Sequence, residues 1–132
     1  MPSMSPDEID PGDEWPLPPP WMWDCDECAD LYRTMRDVGD RIAELRLTGE
    51  RGVDWDPFDS TVTTQIALGA HLAARHPDLL PDWDPDCGTC AGHRERIARE
   101  REPGPHRDFD VRCGREHLAR HVYAPPRTVG LL

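Results

Sequence analysis

Two pairs of cysteines and two pairs of histidines are the residues of this chain best suited to chemistry. Cys25 and Cys28 are separated by two residues, as are Cys87 and Cys90. Each pair is answered downstream by paired histidines, His71-x4-His76 in "AHLAARH" and His117-x3-His121 in "EHLARH". Thiolate sulfur and imidazole nitrogen suit a borderline-soft divalent ion, and two of each complete the tetrahedron of a closed zinc site. The expectation is two zinc ions per chain. One would sit on Cys25, Cys28, His71 and His76, the other on Cys87, Cys90, His117 and His121.

The spacing excludes some familiar alternatives. A ββα finger leaves only about a dozen residues between its Cys and His pairs, whereas 42 and 26 intervene here. That is room for two helices, and the base-reading habit of the short finger does not carry over. A redox CxxC would want a βαβ context that the pattern lacks. Cys113 lies one helical turn before His117, so Cys87, Cys90, Cys113 and His117 form a competing Cys3His set. The first half has Gln65, Ile66 or Ala67 at the matching place, so Cys113 reads as a small buried apolar residue instead. His93 and His106 read as solvated, and Trp23 and Trp83 as packing over the metal ends. Catalysis is not expected. In "EHLARH" Glu116 precedes His117, unlike the HExxH of metalloproteases, and the chain has no asparagine for a His-Asn-His nuclease.

Elements able to position these ligands follow from periodicity. Leu31, Met35, Val38, Ile42 and Leu45 fall on one stripe of a helix from Asp26 to about Leu47. Gly49 and Gly52 end it, and Asp59 or Ser60 is a fitting N-cap for a second helix through Arg75, stopped by Pro77. Val62, Ile66, Ala70 and Ala73 are expected on its inner face. The plan then recurs in shorter form: a helix of about a dozen residues from Ala91, bounded by "PGP" at 103–105, and another from about Asp110 to Val122. Tryptophan-aspartate, CxxC, helix, loop, helix and histidine pair return in the same order, which is an internal duplication. In an antiparallel pair the first helix starts where the second ends, so each set of four ligands meets at one end.

The fold class is therefore all-α: two zinc-stapled antiparallel helical hairpins at 21–80 and 81–124. A disordered, acidic, proline-rich tail is expected at 1–20 and a loose tail at 125–132. Apolar residues make up only 37 % of the chain, so a metal staple is what a small core would need. No apolar run is long enough to span a bilayer. The first residues lack a secretory signal, which leads us to expect a cytoplasmic protein. Residues 1–60 hold 16 acids against 5 arginines, and residues 91–132 hold 9 arginines against 6 acids. That balance favours a protein partner over phosphate. The competing role is a nucleic-acid-binding regulator using the arginine-rich last third. All 15 basic residues are arginine, the mark of a high-GC bacterial genome.

The unit WDCDEC…AHLAARHP resembles a loose group of small zinc-binding proteins encoded in actinobacterial genomes. The likeness covers the Cys and His pairs and, less fully, the helices between them. It implies metal binding with a regulatory or interaction role.

Overall fold

In a computed structural model, which describes residues 10–131, the chain is all-helical, with no strand among those residues. The principal elements are α1 (Pro20–Trp23), α2 (Asp26–Thr48), α3 (Ser60–Arg75), α4 (Gly88–Arg99) and α5 (Pro105–Tyr123). The chain divides into two compact units. One is Pro19–Pro77; the other combines the segment 10–18 with residues 78–131.

In the Pro19–Pro77 unit, α2 packs along α3 as an antiparallel hairpin. The expected stripe of α2 faces inward, with Met35 fully buried and Leu31, Val38, Ile42 and Leu45 half-buried. Helix α3 corrects the expectation of its inner face. Ala73 is buried as expected and Ala70 half-buried, but Val62 and Ile66 are exposed, and Leu68, Gly69 and Leu72 are buried in their place. Apolar residues cover more than one stripe of this helix, so periodicity alone does not choose the face. The start of α3 is also capped differently. Asp59 takes a left-handed backbone (φ 51°) and its side chain makes no cap bond. Asp56, three residues upstream, accepts the Ser60 and Thr61 amides at 2.7 and 3.1 Å and so satisfies two donors the helix cannot. In the loop before it, the Trp55 indole covers Gly49 and donates to the Glu50 carbonyl at 3.2 Å.

In the other unit, α4 and α5 form the second hairpin. Both helices start earlier than the pattern suggested. Cys87 rather than Ala91 opens the α4 turn, and Pro105 is the first residue of α5, not a barrier before it. Proline lacks only the amide hydrogen that a first-turn residue leaves unused, so it starts helices well. Trp83 lies against Gly114 on α5, where a Cβ would come within 2.8 Å of the indole.

The two chain ends, expected to be disordered and loose, clasp each other over their described residues. Residues Pro11–Asp13 form a 3-10 turn whose Gly12 carbonyl accepts the Arg127 amide at 2.8 Å. The Arg127 guanidinium reaches Asp10 at 3.1 Å and Asp13 at 3.4 Å. Val129, in a 3-10 turn that packs against α5, is buried. A tail too polar to build a core can still dock on one built by others. For residues 1–9 and 132 the expectation falls outside the described residues.

Leu72→Ala should cost about 2–5 kcal/mol by chemical denaturation, the usual range for emptying a buried leucine site. Ile66→Ala should cost less than about 1 kcal/mol, as surface substitutions do. The reverse order would return the inner face of α3 to Val62 and Ile66.

Candidate metal centres

Each CxxC pair sits where a helix begins, and the cysteine itself is part of the beginning. Cys25 is the N-cap of α2, and its Sγ accepts the Cys28 amide at 3.4 Å. Cys87 is the N-cap of α4 and accepts the Cys90 amide at the same 3.4 Å. The sulfur takes the place of a capping oxygen, at the helix end whose partial positive charge favours a thiolate.

The histidines arrive from the far end of the partner helix. Cys25 Sγ lies 3.6 Å from His71 Nε2. His76 stands just past the last turn of α3, as its C-cap. In the second group, Cys87 Sγ is 3.5 Å from His117 Nε2 and Cys90 Sγ is 3.3 Å from His121 Nε2. The two imidazole nitrogens there are 3.2 Å apart. In both groups the four donor atoms lie within 4.8 Å of one another, so Cys25, Cys28, His71 and His76 could hold one metal ion and Cys87, Cys90, His117 and His121 another. All five cysteines are free thiols. Cys113 stays outside both groups, half-buried on α5, and His121 fills the position it would have taken.

The surroundings of the donors were less legible. Glu27, between the two cysteines, meets His71 Nδ1 at 3.5 Å. A ligating histidine commonly gives its free ring N–H to a carboxylate, which fixes the tautomer and aims Nε2 at the ion. An acid inside CxxC is the signal that would have found it. Trp21, not Trp23, covers the first group, with its ring 5.9 Å from that of His76. Trp23 is exposed, set edge-on to Tyr32 with Arg33 above it. His93 is half-buried rather than solvated, its ring 5.1 Å from that of His117. His106 is exposed.

Burial shifts these groups as neutral species. It pushes the Cys28 thiol up to about 12, assisted by Cys25, and raises Cys90 as well. It lowers His71 and His121, with Glu27 and Asp84 respectively pulling the other way. It holds His117 at about 4, with the His121 and His93 imidazoles adding to the shift. Neutral imidazole is the ligating form, whereas the thiols must give up protons to a cation. Two buried nitrogens, His76 Nε2 and His117 Nδ1, have no hydrogen-bond partner.

No protein-family model, curated protein or solved structure matches the chain. The reading of these centres therefore rests on their chemistry.

The pH dependence has a definite sign. His117 is held at about 4 in the folded chain against 6.5 for the free side chain, so the unfolded chain takes up the proton first. The stability this residue contributes is complete above 6.5 and lost as the pH falls towards 4. Stability to denaturant should fall as the pH is lowered across that window, and a stability that does not change there would contradict the buried, neutral His117.

Proposed function

We propose that this is a small protein stapled by two structural zinc ions, one in each group, which serves as an interaction module for another protein. The observation that carries the zinc reading is the spacing of the donors. A tetrahedron with zinc–sulfur bonds of about 2.3 Å and zinc–nitrogen bonds of about 2.0–2.1 Å has sulfur–nitrogen edges of about 3.6 Å and nitrogen–nitrogen edges of about 3.3 Å. The second group has 3.3 and 3.5 Å for the former and 3.2 Å for the latter. Four protein donors per ion leave no open position for substrate, which supports a structural rather than a catalytic metal. Free thiols fit a reducing compartment such as the cytoplasm. Among the described residues no helix is long and apolar enough to cross a membrane.

The interaction role is supported by what the folded hairpins leave uncovered. Val62 and Ile66 on α3, with Phe58 in the loop before it, are exposed apolar side chains on an acidic chain. The arginine-rich third is a weaker candidate for phosphate, because several of its cations are engaged. Arg107 donates to the Ile97 and Glu100 carbonyls at 3.2 and 2.6 Å, Arg99 pairs with Glu95, and Arg127 holds Asp10 and Asp13.

Metal analysis of protein purified without added zinc should return two equivalents, one for each group. Cys25→Ser should remove one of them and melt the α2–α3 hairpin, because ligand energy is folding energy in so small a core. Zinc content near zero, or full helicity in a strong chelator, would end the structural-zinc reading.

The surface makes its own demand. Used as bait in a lysate of the source organism, the chain should retain a protein that Val62→Ser with Ile66→Ser releases while zinc content stays unchanged. Equal retention by the variant would move the interaction elsewhere.

A further inference from the structure

Beside the second metal group lies a cavity of about 420 Å³, within the size range of small-ligand pockets. One wall is Cys87 and His121, another is Asp84 and Asp86, and Val129 and Pro16 contribute apolar surface. We propose that this cavity binds an organic cation: an alkylammonium or guanidinium head on a short apolar body.

The charge of the lining selects the ligand. Its carboxylates are those of Asp84 and Asp86, and no arginine is among the described residues that line it. A zinc ion held by two thiolates and two neutral imidazoles carries no net charge, so loading the metal does not offset them. Asp84 Oδ1 accepts the Asp86 amide at 2.8 Å, which leaves its second oxygen and both oxygens of Asp86 for incoming donors. Cys87 Sγ, as a thiolate, is a further acceptor at the same wall. An ammonium or guanidinium would make charge-assisted hydrogen bonds here, stronger than neutral ones. Its carbon body would lie on Val129 and Pro16. Pro16 belongs to the segment that Arg127 ties down through Asp10 and Asp13, so the clasp of the two chain ends completes the cavity.

The proposal requires the second group loaded, because two of its ligands form a wall, and in that respect it rests on the zinc reading. Zinc is therefore measured before ligand is added. The zinc-loaded full chain would be titrated with n-butylammonium chloride and, separately, with Nα-acetyl-lysine methylamide, followed by amide chemical shifts. Saturable binding should move the Val129 and Gly130 signals, and n-butanol should not. Asp84→Asn with Asp86→Asn should weaken binding by about tenfold or more, as loss of charge-assisted bonds does. Asparagine keeps the Oδ1 that accepts the Asp86 amide. Asp86→Asn alone, at an exposed side chain, serves if the double variant loses zinc. Similar affinity for the two probes would mark a free small amine as the ligand source, and tighter binding of the lysine derivative a peptide side chain. Absence of saturable shifts with zinc bound, or unchanged affinity in the asparagine variants, would overturn the proposal.

Discussion

Each hairpin converges four electron-pair donors on one point, with no protein cation among them. In the second group two imidazole Nε2 atoms face each other at 3.2 Å, with sulfurs 3.5 and 3.3 Å away. Neutral imidazoles and thiols in that arrangement have few compatible hydrogen bonds, and thiolates would repel one another. A cation turns the whole set attractive. The apolar core is too small to hold such a cluster together on its own. Its fully buried large side chains, Met22, Met35, Leu68, Leu72 and Tyr123, are shared between two separate units. On the structural-zinc proposal, metal and core would depend on each other, as in other small domains without disulfides.

The CxxC turn shows how economically the ligands are placed. One sulfur caps the helix, the second cysteine's amide donates to it, and the helix end supplies the field that favours a thiolate. Starting the helix and forming half of the metal site are one local event. The histidine end admits two solutions. Residues four apart share a helix face, and His117 and His121 accordingly both lie within α5. His71 and His76 are five apart, so the second has to leave the helix to join the same donor group. Helix α3 ends at Arg75, and His76 takes φ −131° and ψ 43° directly before Pro77. The extra residue and the proline that follows are thus two parts of one solution.

What was legible in the sequence was whatever is fixed locally. Paired cysteines and paired histidines carry their own spacing, and the stripe from Leu31 to Leu45 selects one face because the remainder of α2 is polar. The inner face of α3 was not legible, because Val62, Ile66, Leu68 and Leu72 surround much of its circumference. Its orientation is chosen by the need to aim His71 at Cys25, a contact across 46 residues. Asp56 was overlooked as the cap for a similar reason. The turn that carries it to the helix start depends on Asp59 adopting a left-handed backbone. Over the described residues of the chain ends composition was a poor guide, since few apolar residues rule out an independent core but not docking on a neighbouring one.

The two units share one local plan and can be compared on it. Both have the CxxC knuckle with the same 3.4 Å N–H···S bond, and they differ around it. At the position of Glu27 the second group has Thr89, and the buried Nδ1 of His117 has no partner where that of His71 meets a carboxylate. The first group is braced by Glu27 and covered by Trp21. The second opens one wall onto a cavity that the clasped chain ends complete. The first group is thus closed by its own side chains, whereas the second borders a space that a ligand could enter.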